Sequence, residues 1–276
     1  MAKLKILAIG NSFSVDGMEH LFKVAMAYGY KREDVILGDL YIGGCSLKTH
    51  HENMKGDLPR YEYYKNINNE WVITPETTLL TGVLDEEWDY ITMQQVSQNS
   101  GQPDTFEPYL SELIEYVNSK KLNPSAKLVW HSTWSYAKDS THGGFANYGN
   151  DQQAMYSAIL DAAKHIKANY PAFSDIIPSS VAITNARKEL GDNLNRDGFH
   201  LDLTYGRLTA ALTWFYKITG VAPDNIIDET PLLEICKNGV VTLKEKGVDI
   251  TPEKLLEISI NAAKDAVEKP LAPIIE

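Results

Sequence analysis

The sequence predicts an α/β fold: a three-layer α/β/α sandwich around a central parallel sheet of five strands. Two observations predict it. Short apolar runs, rich in Val, Ile, Leu and aromatic residues, recur along the chain and are bounded by polar residues or Gly, as strands buried on both faces are. Between them lie segments whose apolar residues have helical spacing, and this alternation builds a parallel sheet covered on both sides.

The runs are 4–9, 35–42, 90–93 and 128–130, with a weaker fifth at 176–177. After the first, residues 19–28 read as a helix. Phe106, Leu110, Leu113, Ile114 and Val117 share one helical face, and Ala154, Ile159, Ala163 and Ile166 share another in a helix that ends before Pro171. Residues 204–219 form a further helix, with Leu208, Leu212 and Phe215 spaced for burial and Gly220 to stop it. An apolar helix at 255–267 lies near the C-terminus. Two segments interrupt the alternation. Residues 61–73 alternate weakly around Asn68-Asn69 and read as a β-hairpin insertion, because Asn tolerates the positive φ of a tight turn. Residues 132–151 are rich in Ser, Thr, Gly and Asn with Trp134, Tyr136, Phe145 and Tyr148 interspersed, which suits a binding loop better than a linker. No repeat or compositional boundary divides the chain. Residues 1–276 read as a single domain with the 61–73 insertion and a C-terminal extension over 223–276.

A length of 276 residues supports one substantial core, and 43% hydrophobic with 23% charged residues is ordinary for a globular chain. The net charge of −11 argues against nucleic acid or an anionic membrane surface as a partner, since both need a cationic footprint. A neutral small molecule or carbohydrate ester is not repelled. No segment approaches the roughly 20 apolar residues of a membrane span, so no membrane insertion is expected. Cys45 and Cys236, without any CxxC pair, suit free buried thiols better than a disulfide framework or a thiolate zinc site. The basic start Met1-Ala2-Lys3-Leu4-Lys5 leads into a short apolar run ending in Gly-Asn-Ser, which reads as a strand and not as a signal peptide. The expectation is a cytoplasmic protein, or a secreted one whose leader has been removed.

The chemistry concentrates at two places. In Gly10-Asn11-Ser12-Phe13-Ser14, Ser12 directly follows the first strand, where ligands bind outside the carboxyl ends of a parallel sheet, and it stands near backbone N–H groups that favour an oxyanion. By itself the segment would suit a helix cap better. In Asp197-Gly198-Phe199-His200, ahead of the 204–219 helix, a carboxylate and an imidazole stand three residues apart. A nucleophilic serine needs a base, and the base needs an orienting acceptor. The order Ser, Asp, His is also a known triad order. Elsewhere, adjacent His50-His51-Glu52 do not face one another on a helix and lack a third ligand at suitable spacing, so no metal site is expected.

Over residues 4 to about 220 the Gly-Asn-Ser-Phe start, the Gly-Gly-Cys-Ser segment after the second strand and the late Asp-x-x-His resemble the SGNH (GDSL-type) hydrolases. The resemblance implies a flavodoxin-like fold, a nucleophile at Ser12, a base at His200 and an orienting Asp197. It also implies an oxyanion hole made by the Ser12 N–H, the Gly44 N–H and a side-chain amide after the third strand. The family carries Asn at that last position. Here the strand end puts Gln98 there, with Gln95 and Asn99 as alternative donors, as in a divergent branch. Asn11 stands where the motif has Asp. Asn11, His131 after the fourth strand and Trp134, with Tyr136 beside it, are the expected substrate contacts, the aromatics as a sugar-stacking platform. The reading is a serine ester hydrolase working through an acyl-enzyme without metal or organic cofactor, and by family analogy a carbohydrate O-acetylesterase. The alternative is a non-catalytic carbohydrate-binding relative on the same fold. A phosphate-binding flavodoxin-like protein fits less well, since the first loop lacks the Gly, Thr and basic residues such a site needs.

Overall fold

Strands buried on both faces can satisfy their peptide groups only by pairing with one another, and the five apolar runs do so. The computed structural model describes residues 3–273. In chain order it contains β1 (Leu4–Gly10), α1 (Ser12–Met18), α2 (Leu21–Ala27), β2 (Val35–Tyr41), α3 (Leu47–Gly56), β3 (Tyr61–Ile67), β4 (Glu70–Thr77), α4 (Leu79–Leu84) and β5 (Tyr90–Met93). Then follow α5 (Tyr109–Lys120), β6 (Lys127–His131), α6 (Gln152–Asn169), β7 (Phe173–Ile177), α7 (Ser179–Leu190), α8 (Tyr205–Thr219), α9 (Thr230–Glu245) and α10 (Pro252–Glu268).

The sheet has seven strands in the order β4-β3-β2-β1-β5-β6-β7, which corrects the expected five. The five expected strands are the parallel ones, and their order is the flavodoxin-like one. The other two are the hairpin. It is no separate appendage: β3 pairs antiparallel with β2 and β4 with β3, so the hairpin covers a sheet edge that would otherwise be open. Asn68 and Asn69, at φ 57° and 70°, make its turn. Within β3, Tyr61, Tyr63 and Asn66 are buried.

Alternation along β1 sends Leu4, Ile6 and Ala8 to one apolar layer and Leu7 and Ile9 to the other. The first layer is completed by α1, α2 and α8, and the second by α3, α4 and α5. In the expected extension 223–276, α10 packs on α7 and α8, and α9 on α2 and α8; residues 274–276 lie outside the described residues. Cys45 and Cys236 are free and buried. Among the described residues no helix is long and apolar enough to cross a membrane.

The parallel order makes the chain run from β1 outward to β2 and then cross to β5. A crevice therefore opens beyond the carboxyl ends of β1 and β5. Ser12 and the segment 94–99 both lie there.

Candidate active site

The turn from β1 into α1 is set by Gly10 and Asn11. A side chain on Gly10 would stand 2.3 Å from Ser14 Oγ, so the close turn requires glycine. Asn11 is the N-cap: its Oδ1 accepts the Phe13 N–H at 2.9 Å. Ser12 is thus relieved of capping, and its hydroxyl is available to another partner. Asn11 Oδ1 also accepts from Gln94 Nε2 at 2.8 Å, while Asn11 Nδ2 donates to the Cys45 carbonyl at 3.0 Å. Since the Gln94 amide nitrogen serves Asn11, its Oε1 must accept from His131 Nδ1–H at 2.7 Å. His131 Nε2 then accepts from the Ser179 hydroxyl at 3.0 Å. Burial drives the His131 pKa down to about 3, which keeps the ring neutral in this tautomer. Beneath the turn, Ser14 Oγ donates to the Asn11 carbonyl at 2.7 Å and meets Asp39 Oδ1 at 3.1 Å. One hydroxyl proton cannot serve both, and burial raises Asp39 well above the usual carboxylate range despite the Ser14 contact.

The opposite wall is the loop 195–201 between α7 and α8. His200 Nε2 lies 2.8 Å from Ser12 Oγ, and His200 Nδ1 lies 2.7 Å from Asp197 Oδ2. Asp197 Oδ1 accepts the backbone N–H groups of His200 at 2.8 Å and Phe199 at 3.2 Å. Desolvation works to raise the Asp197 pKa, but hydrogen bonds from the His200 ring and these two N–H groups outweigh it and hold the carboxyl below its ordinary value. An ionised Asp197 fixes the tautomer with the proton on Nδ1, leaving Nε2 to accept the Ser12 proton. Gly198, at φ 87°, makes the turn between the two.

Ser12, Gly44, Gln98, His142, Phe199 and His200 share a cleft of about 220 Å³. Among the described residues neither the Ser12 N–H nor the Gly44 N–H has a backbone partner, and Gly44 takes φ 63°, with open space where a Cβ would be. The Asn11–Cys45 bond ties the Gly44 turn to the Ser12 turn. The Gln98 side chain is half-buried at the cleft and has no hydrogen-bond partner among the described residues, whereas its carbonyl accepts Asn147 Nδ2 and the Tyr148 hydroxyl. Gly144 lies against it so closely that a Cβ there would be 2.2 Å from Gln98 Cβ.

The structure thus brings Ser12, Asp197, His200, Gly44 and Gln98 together and sets the other expected residues aside. Gln95 is buried, its Oε1 accepting from Leu47 and Val96 N–H and its Nε2 donating to Thr105, so it braces the loops. Asn99 does not line the cleft. His131, expected to touch substrate, is 1% exposed and spent in the chain to Gln94. Trp134 and Tyr136 are fully buried and form no platform: Trp134 stacks on Phe13 at 4.5 Å and donates to the Phe199 carbonyl, and Tyr136 bonds Ser97. Asn11 borders the cleft but is 1% exposed, with its amide fully engaged. His50 and His51 part company, to Tyr61 and Glu112 respectively.

Among the cleft residues that escaped the sequence reading are Phe199 and His142. Phe199 lies within the Asp-x-x-His segment and packs against His200 at 4.1 Å between ring centroids. His142 lies within the expected binding loop, its Nδ1 accepting the Gly144 N–H at 3.0 Å, its ring edge-on to Phe199. Desolvation, with His200 adding to it and Asp197 opposing, lowers its pKa. Only the aromatic content of 132–151 signalled it.

Residues 5–227 match the family described as "Domain of unknown function (DUF4886)". The chain is similar along 99% of its length to the crystal structure of a DUF4886 family protein from Bacteroides uniformis ATCC 8492, with 37% identity, 97% of that chain covered and a TM-score of 0.83. More distantly it is similar to TesA, at 12% identity and TM-score 0.47, covering 78% of this chain and 98% of that one. The acetyl xylan esterase AlAXEase is similar at 15% identity and TM-score 0.45, covering 76% of this chain and 98% of that one. Among curated proteins none matches the chain.

Proposed function

For this chain, which belongs to the DUF4886 family, we propose the function of a serine ester hydrolase related to the SGNH enzymes. The observation that carries the proposal is the relay Ser12 Oγ–His200 Nε2 at 2.8 Å and His200 Nδ1–Asp197 Oδ2 at 2.7 Å, beside two unpartnered N–H groups. Ser12 Oγ attacks the ester carbonyl carbon while its proton passes to His200 Nε2. The oxyanion accepts hydrogen bonds from the Ser12 N–H, the Gly44 N–H and the Gln98 amide. His200 returns the proton to the departing alcohol, and water repeats the sequence on the acyl-Ser12 ester.

The substrate in this reading is a short acyl ester of a neutral alcohol, an O-acetyl group on a carbohydrate. A cleft of about 220 Å³ has room for a small acyl group, and the half-buried rings of Phe199 and His142 offer a sugar an apolar face with one polar edge. Residues 1–276 act as one catalytic unit in this reading, supported by the packing of α10 on α7 and α8.

The test is hydrolysis of a chromogenic acetyl ester, with covalent labelling by a serine-directed phosphonate. Wild type should turn over and label, and Ser12→Ala should do neither, with a rate loss on the order of 10⁴ or more. A wild-type protein that neither hydrolyses short acyl esters nor labels would refute the proposal. Equal activity in Ser12→Ala would refute the nucleophile.

A further inference from the structure

Asp16 stands one turn beyond Ser12 on α1 and is 0% exposed, a carboxylate within an otherwise apolar packing layer. Its Oδ2 accepts the Leu201 N–H at 2.8 Å. That nitrogen belongs to the peptide group joining His200 to Leu201, and the carbonyl of the same peptide accepts the Arg196 N–H at 3.0 Å. Both ends of the peptide that carries the base are therefore pinned, one of them directly to the nucleophile helix. Asp16 Oδ1 receives Arg207 Nε and Nη2 at 2.8 Å each from α8, and Arg196 Nη1 at 3.1 Å from the loop itself. Arg196 Nη1 also donates to the Leu201 carbonyl. One carboxylate thus joins three segments: the helix of Ser12, the loop of His200 and the helix behind that loop.

A buried charge is a poor way to gain stability, because well-packed apolar groups of similar size often do as well, and its attested use is to fix one arrangement among several. Here the arrangement fixed is the reach of His200 to Ser12. The loop 195–201 has no strand to hold it, only an isolated bridge between Asn195 and Leu201. The path from Ser12 along one helical turn, through the Asp16 carboxylate to the Leu201 nitrogen and back one residue to His200, is a short rigid connection between the two reacting side chains. We propose that Asp16 is a positioning residue for the Ser12–His200 pair, holding the base loop on the nucleophile helix without touching substrate.

The inference rests on the hydrolase reading, and its test separates the two. Asp16→Asn keeps the shape but replaces one carboxylate oxygen with a donor facing either the Leu201 N–H or the two arginines. Expected are a 10- to 100-fold lower kcat on a chromogenic acetyl ester at unchanged KM, and phosphonate labelling of Ser12 slowed in proportion. A merely structural role would lower the melting temperature and leave kcat per folded molecule and the labelling rate as in wild type, which overturns the proposal. If Asp16→Asn does not fold, Arg196→Met removes one arm whose side chain is 31% exposed, and should lower kcat about 3- to 10-fold at unchanged KM. Wild-type kcat in folded Arg196→Met overturns the proposal equally. Inactivity of wild type itself refutes the hydrolase reading instead.

Discussion

Ser12 and His200 meet at 2.8 Å, yet the segments that carry them are held in unlike ways. Ser12 sits on a strand end, and the residue before it is fixed by a buried chain of hydrogen bonds from Ser179 through His131 and Gln94 to Asn11 and on to Cys45. That chain crosses the carboxyl ends of β7, β6, β5, β1 and β2 in turn, so the sheet itself sets the position of Ser12, the proposed nucleophile. His200 belongs to a half-exposed loop held by separate contacts, among them Asp16 to the Leu201 N–H, Trp134 Nε1 and Asn195 Nδ2 to the Phe199 carbonyl, and the Ala137 N–H to the Gly198 carbonyl. Buried polar chains are costly to break because each member loses a partner that water cannot replace, whereas exposed pairs are cheap to break. Damage on the nucleophile side should therefore appear as lost stability, and damage on the base side as lost rate.

The largest expected effect is on the base side. Asp197→Asn should lower kcat by roughly 10⁴-fold, since an amide in that place favours the wrong imidazole tautomer. The Asp197 side chain is 40% exposed, so the melting temperature should barely move. A melting temperature that falls along with the rate would dissolve the contrast between the two walls.

Next comes Gln94→Leu on the nucleophile side. It strands the buried His131 Nδ1–H and removes one of two donors from Asn11. Urea denaturation should show a loss of about 2–3 kcal/mol, the cost of one orphaned donor and one lost bond. An unchanged unfolding free energy would mean that the chain does not anchor the turn.

The smallest effect is acid sensitivity. Burial holds His131 down to about 3 and His50 to about 3, and burial foremost holds His20 to about 4, each against an ordinary value of 6.5. Below pH 6.5 the unfolded chain binds protons that these rings refuse, so their contribution to stability is fully present above that value and is lost as the pH falls toward 3. Between pH 6.5 and about 5.5 each should contribute a loss of about 1 kcal/mol. His131→Gln should flatten the dependence by one such share, measured as unfolding free energy against pH. A dependence of the opposite sign would mean that the rings are charged when folded.

The same division governs what the sequence reveals. Parallel strands announce themselves as apolar runs; Ser12 follows from where the first run ends, and Gly44 from the family resemblance after the second. Residues 12–18 do not announce a helix: Ser-Phe-Ser-Val-Asp-Gly-Met has weak helical preference, and the expected helix began only at Glu19. Burial overrides that preference, with Phe13, Asp16 and Met18 packed inward and Gly17 so close to Trp214 that a Cβ would lie 2.8 Å from its indole nitrogen. The helix α7, Ser-Ser-Val-Ala-Ile-Thr-Asn-Ala-Arg-Lys-Glu-Leu, is β-branched and polar at its start and escaped notice for the same reason. The hairpin runs on to Thr77, past the expected end at 73, because Pro75 is tolerated on an edge strand that needs no outward N–H. Trp134 was misplaced because composition marks a loop as rich in aromatics but cannot tell which ring faces inward.

The separation of Ser12 and His200 by 188 positions in the sequence has a consequence for the chain as it is made. A lone seryl hydroxyl is a feeble nucleophile, and synthesis delivers Ser12 early and its base late. Until loop 195–201 and the arginine of α8 have emerged and closed on α1, the nascent protein carries its reactive residue in an inert form. If Ser12 is the nucleophile proposed above, reactivity toward esters is thereby withheld until all seven strands have been made, and a chain truncated before that loop would be chemically silent.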